Sequence, residues 1–142
     1  MGSSSDAEGM KAAREMLSRF GVEVDERVLS AHRNPDEVAA FARAARENGY
    51  AALICGAGMA AHLAGVVAAH TTLPVVGVPL SRSALNGVDA LYSTVQMPPG
   101  IPVATVAIDG ASNAAVLVVE MLAIADAGLA ARLEEFRAGG AR

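Results

Sequence analysis

The 142-residue sequence predicts an α/β fold built on a parallel sheet. Strand-like and helix-like segments alternate along the chain. Tyr50–Cys55 is an uninterrupted apolar run, as expected for a strand buried on both faces, and a second such run, Pro74–Pro79, follows one helix later. Parallel sheets of this kind bind ligands beyond the carboxyl ends of their strands. That rule singles out four loops: Gly2–Asp6, Ser30–Arg33, Gly56–His62 and Ser81–Gly87.

Each element has a local reason. Ser5-x-x-Glu8 reads as a capping box, and Met10, Ala13, Leu17 and Phe20 follow at helical spacing until Gly21 closes the helix. Val22, Val24, Glu26 and Val28 share one face of a short strand. Asn34-Pro35-Asp36-Glu37 starts a second helix, with Asn as cap and Pro in the first turn. Val38, Phe41, Ala42 and Ala45 form its apolar face, and Asn48-Gly49 ends it. After the Tyr50–Cys55 strand, Gly56-Ala57-Gly58 reads as a break before a small-residue helix over 59–70. Beyond the Pro74–Pro79 strand and the Ser81–Gly87 loop, a helix is expected over 88–97, stopped by Pro98-Pro99-Gly100. A strand over 101–108, a helix over 113–125 and a last amphipathic helix carrying Leu129, Leu133 and Phe136 complete one domain, with a frayed tail from Ala138. One feature departs from the pattern: the first loop has no strand in front of it, so the first strand of the sheet is expected upstream of Met1.

Composition narrows the functions. Apolar residues make up 53% and aromatics only 4%, so the core is built from small aliphatic side chains and association of copies is expected to add burial. Net charge is −4 without a basic run, which argues against a nucleic-acid surface. Cys55 is the single cysteine, which fits a reducing compartment; with no apolar stretch of about 18 residues and no signal-like start, cytoplasm is the expected location and no membrane partner is expected. His32, His62 and His70 lack close ligand spacing and Cys55 has no partner cysteine, so no metal site is expected.

Ser30-Ala31-His32-Arg33 is the densest polar cluster at a strand end. An imidazole gives and takes a proton near neutral pH, and an arginine clamps phosphate. Spacing alone leaves this open: Ser30 could simply turn the chain, His32 cap a carbonyl and Arg33 stay solvated. Gly2–Asp6 reads first as an ordinary helix start, and alternatively as a phosphate cradle in which Asp6 holds ribose hydroxyls. Gly56–His62 reads as close helix–sheet packing with a core histidine, or as bare backbone against a ligand with His62 beside it. A serine hydrolase lacks its Gly-x-Ser-x-Gly elbow here.

Taken in order, Met1-Gly-Ser-Ser-Ser-Asp6, Ser30-Ala-His-Arg33, Gly56-Ala-Gly58 with Ala60-Ala-His-Leu63, Leu73-Pro-Val-Val-Gly-Val-Pro79, Gln96-Met-Pro98 and Pro102-Val-Ala-Thr-Val-Ala-Ile108 with Asn113-Ala-Ala115 resemble the PurE family of purine biosynthesis. The resemblance covers nearly the whole chain. It implies a flavodoxin-like three-layer sandwich and a homo-octamer, with the helix over 129–137 packing on a neighbouring subunit. It implies an isomerase that moves a carboxylate from the exocyclic N5 to C4 of aminoimidazole ribonucleotide, without metal or organic cofactor. The alternatives it leaves are direct carboxylation of the ribotide with carbon dioxide, and a silent ribotide-binding subunit. By the same resemblance His32 is the general acid/base and His62 a second site histidine. Ser3, Ser5, Asp6, Ser30, Ala31, Arg33, Gly58 and Leu63 contact the ribotide, Arg33 at its phosphate, and the Gly56–His62 loop encloses carbon dioxide. The chain departs from the family at Met59 and Ala64, where the family commonly has Gly and Pro. Met59 is expected either to narrow that enclosure or to turn into the core.

Overall fold

The computed structural model describes residues 1–141. A 3₁₀ turn, Ser4–Asp6, runs into α1 (Ala7–Arg19); then come α2 (Pro35–Ala44), β1 (Leu53–Gly58), α3 (Leu63–His70), β2 (Val75–Leu80), α4 (Val88–Val95), β3 (Ala104–Thr105), α5 (Ala111–Ala123) and α6 (Ala127–Ala138). The strands form one parallel sheet in the order β1-β2-β3. Leu53 pairs with Val75 and Gly58 with Leu80, so β1 and β2 end level with each other.

Alternation along β2 divides the core. Val76, Val78 and Leu80 face α1, α5 and α6, where Met10, Leu17, Phe20, Val119, Leu129 and Phe136 close the layer. Val75, with Leu53 and Cys55 of β1, faces α2 and α3 through Val38, Ala42, Leu63 and Val67. All six β2 residues are buried, and each large side chain removed from water there contributes about 1.5–3 kcal/mol. The result is a layer of helices on each face of a parallel sheet, as the fold class requires. Leu129 and Phe136 of α6 face this chain's own core, with the Phe136 ring edge-on to Phe20 at 5.3 Å.

Helix ends follow the chemistry read from sequence. At the end of α1, Gly21 adopts φ +71, a left-handed conformation that glycine takes without steric cost, while its N–H donates to the Ser18 carbonyl and that of Val22 to the Leu17 carbonyl. The same pair of bonds, from Gly49 to Arg46 and from Tyr50 to Ala45, ends the second helical segment. The tail expected to fray from Ala138 closes this way too, with Gly140 bonded to Arg137 and Ala141 to Phe136.

Other expectations are corrected. The Ser5–Glu8 capping box does not form: Ser3 is the cap, and its hydroxyl accepts from the Ser5 N–H. Asn34 stands at the N-cap of α2, as expected, but its side chain makes no capping bond; it joins the Ser30 N–H to the Glu37 carboxylate. The Gly56–Gly58 break is part of β1, because ladder bonding begins only at Leu53 and runs to the level of Leu80. The helix expected from residue 59 starts at Leu63, because Met59 has φ +56 and the His62 N–H bonds back to the Ala60 carbonyl. The α4 helix stops at Val95, before Met97. The strand expected over 101–108 shrinks to Ala104–Thr105, paired with Val76 and Gly77.

Residues 22–28 are not a ladder strand. Near its end this segment meets Met1, whose ammonium donates to the Arg27 carbonyl and whose carbonyl accepts from the Leu29 N–H. Gly2 N–H donates on the other side to the Gly56 carbonyl. Met1 and Gly2 thus bridge the segment to β1 at one end. Below them a cavity of about 650 Å³, lined by Met10, Leu17, Val24, Leu53, Ile54 and Leu122 among others, separates the two backbones. That cavity is why Val22–Val28 lacks ladder bonds.

Candidate active site

The starts of α1, α2 and α3 converge beyond the ends of β1 and β2, where one cavity of about 370 Å³ opens. This lies within the usual size range of ligand sites. Its walls come from three of the four loops singled out by the parallel-sheet rule, plus Arg82 from the fourth. Ser3, Ser5 and Asp6 line one side, Ser30, Ala31, His32 and Arg33 the second, and Gly58, His62 and Leu63 the third. The fold therefore brings together all ten residues expected from sequence.

Two histidines thirty residues apart meet here. His32 Nε2 lies 2.7 Å from His62 Nδ1, with the rings edge-on and their centroids 4.9 Å apart. One nitrogen must donate and the other accept, so the contact holds a single proton between the rings. Two imidazoliums would aim N–H at N–H, which this distance forbids. The pair leaves His32 Nδ1 as its free nitrogen. The backbone behind His32 is fixed: Ser30 Oγ accepts from the Arg33 N–H, and the Asn34 side chain holds the Ser30 N–H at 2.7 Å.

Asp6 is the buried charge of the site, 6% exposed. Burial raises its carboxyl above the usual carboxylate range, and the Ser3 backbone, the N-terminal ammonium, Arg82 and Ser5 pull it partly back. Arg82 reaches across from the loop after β2 and donates to the Ser5 carbonyl. With Arg33, this places two guanidiniums on a cavity that also holds one buried carboxylate. The arrangement suits a ligand with an anionic group at one end and hydroxyl donors near Asp6. Cys55, one turn of the ladder below, is buried and its thiol is pushed up to about 11, so it stays neutral.

Gly56 explains how α1 reaches the site. A Cβ there would lie 2.2 Å from Met10 Sδ and 2.8 Å from its Cγ, so glycine lets the helix lie directly on β1. For Gly56, close helix–sheet packing is therefore the observed role. Gly58 has room for a Cβ, 3.4 Å from the Leu80 carbonyl, and lines the cavity.

A family model described as AIR carboxylase matches residues 1–142. The chain belongs to the AIR carboxylase family. The N5-carboxyaminoimidazole ribonucleotide mutase of Pyrococcus abyssi is 53% identical over 137 residues, covering 96% of this chain and 79% of the relative. The mutase of Brucella melitensis is also 53% identical, over 139 residues, covering 96% of this chain and 86% of the relative. The crystal structure of Treponema denticola PurE superimposes with a TM-score of 0.89 at 28% identity, covering 99% of this chain and 88% of that one. The flavodoxin-like fold expected from the motifs is thus the fold of this AIR carboxylase family member.

Within that family frame, sequence reading missed Arg82. A lone arginine in the polar 81–87 loop has no spacing signature; the loop itself was the only signal. Met59 resolves the other way from one of its two expectations. It is 64% exposed at the cavity mouth and does not turn into the core. Its left-handed backbone costs a non-glycine residue roughly 1–2 kcal/mol.

Proposed function

We propose that this chain is an N5-carboxyaminoimidazole ribonucleotide mutase, moving a carboxylate from the exocyclic nitrogen to C4 of the ribotide in purine biosynthesis. The observation that carries this reading is the His32–His62 pair, set in one cavity with Asp6, Arg33 and Arg82. Family membership and the mutases at 53% identity support it.

The steps balance with one proton. His32, protonated, gives its proton to the exocyclic nitrogen as the N–C bond breaks and carbon dioxide leaves. The electron-rich C4 attacks that carbon dioxide, and the C4 proton passes to neutral His32, which ends as it began. The histidine pair suits this task, because its short contact seats a proton between the rings and both residues line the cavity. Positioned general acid–base catalysis is worth about 10²–10⁴ in rate. Arg33 and Arg82 hold the phosphate, Asp6 accepts from ribose hydroxyls, and Ser3, Ser5, Ser30, Ala31, Gly58 and Leu63 shape the remaining walls.

We further propose that the enzyme works as a homo-octamer in the cytoplasm, with α6 against a neighbouring subunit. Leu85, just before α4, and Val88, Tyr92 and Val95 along it support association of copies: they stay 44–61% exposed. The buried, neutral thiol of Cys55 fits a reducing compartment. The deciding assay supplies the carbamate in one reaction, and the free ribotide with bicarbonate in another. Turnover of the carbamate, with little or none of the second mixture, is expected. Efficient use of free ribotide and bicarbonate, with the carbamate left untouched, overturns the mutase reading.

A further inference from the structure

We infer that Met59 is a covering residue of the ribotide site: its side chain folds over the mouth onto the bound heterocycle and retains carbon dioxide above the ring. The inference rests on the mutase reading.

Several observations meet at this residue. The other large apolar side chains that stand exposed, Val28, Leu85, Val88, Tyr92, Val95 and Ile124, do not line the site cavity; Met59 does. Its backbone is pinned on both sides. Gly58 is held at the level of Leu80 by the β1–β2 ladder, and the His62 N–H closes a tight turn on the Ala60 carbonyl at 2.8 Å. Its neighbours Ala57, Ala60 and Ala61 are small, which leaves swing room. A fixed backbone thus carries an unbranched side chain with three rotatable bonds, three positions before His62. Glycine would satisfy φ +56 without strain, so the conformation itself does not call for a methionine.

The chemistry favours this cover. A thioether is apolar and polarisable, and it contacts aromatic ring edges and faces favourably. An aminoimidazole is such a ring. Between the two half-reactions free carbon dioxide must stay beside C4, and the residue at the mouth sets how easily it leaves or water enters. Folding over the ring also buries a side chain that is largely exposed without ligand.

The test compares Met59→Gly and Met59→Leu with the parent enzyme. Methyl-¹³C methionine NMR follows Met59, assigned by its absence in Met59→Leu, as aminoimidazole ribonucleotide is titrated in. An upfield shift of that methyl at saturation is expected. With the carbamate as substrate, the fraction released as free ribotide and carbon dioxide, above the enzyme-free rate, is expected to rise about three- to tenfold in Met59→Gly. It should stay within about twofold of the parent in Met59→Leu, which restores an apolar cover. Met59→Gly should melt no lower than the parent, so that leakage is not misfolding. An unmoved methyl at saturation, or leakage in Met59→Gly equal to the parent's, overturns the inference. If the parent itself does not turn over the carbamate, the mutase reading fails, and the methyl titration alone then decides on Met59. A ribotide that does not bind at all overturns both.

Discussion

Two regions of this molecule flank the same strand and are built in opposite ways. At the carboxyl end of β1, three loops and three helix starts meet in a small polar cavity, held by the Ser3, Ser30 and Asn34 side chains and by Arg82. Along the edge of β1 that faces residues 22–28, two backbones run past each other across a larger cavity; among the described residues their backbone hydrogen bonds lie only near Met1 and Gly2, and the Tyr50 hydroxyl, bonded to Asp25 and Arg27, ties the other end. The first region gets its precision from ladder register and caps. The second shows what a parallel sheet loses when neighbouring extended segments are not in ladder contact: side chains still pack, as Val22 and Val24 do against the α1–α5 layer, but directional bonds are missing.

The largest contrast should appear in amide exchange. In a parallel strand both backbone groups of a residue point to the same side. Leu53 and Cys55 face β2, whereas Ile54 faces the cavity. The Ile54 amide is expected to exchange at least about a hundredfold faster than Cys55 in the apo protein. Equal protection of the two would break the comparison and place a hydrogen-bonded partner in that cavity.

Packing at the junction of the two regions gives the next effect. Gly56→Ala drives a methyl into Met10, and because Cγ as well as Sδ is within 3 Å, more than the tip of Met10 must move. A loss of about 1–3 kcal/mol is expected, read as a lower denaturation midpoint. An unchanged midpoint would mean that α1 does not press on β1 as described.

Asp6→Asn separates site from scaffold at smaller cost. Burial raises the Asp6 carboxyl above its unfolded value of 3.8, so folding favours the protonated form. The stability linked to that form is complete below the unfolded value and is lost as pH rises through the folded one. At pH 7 the ionised carboxylate therefore burdens the fold, and the neutral amide is expected to raise Tm slightly there, with the gain vanishing in acid. The same substitution should weaken ribotide binding about tenfold or more, through lost charge-assisted hydrogen bonds. A lower Tm at pH 7 would contradict the burial argument.

The two regions also differ in how far sequence alone reached. The site was largely readable, because strand ends, glycines and caps are local signals and the resemblance tied them together. What it could not supply was pairing across distance: nothing in the residues between His32 and His62 dictates a 2.7 Å contact, and Arg82 gains its role only once β2 ends level with β1. Boundaries failed where tertiary partners decide them. Residues 101–108 have strand composition throughout, yet only Ala104 and Thr105 find ladder partners. Val22–Val28 has a strand's alternation, but only Met1 reaches its end, at Arg27 and Leu29, and a cavity lies along the rest.

The central claim is that His32 moves the proton in this site. The most direct measurement is single-turnover conversion of the carbamate by His32→Asn, alongside titration with the free ribotide. Turnover is expected to fall at least about a hundredfold, with ribotide affinity within a few-fold of the parent and Tm unchanged, since His32 is exposed. Near-normal conversion by a folded, ribotide-binding His32→Asn would contradict the account.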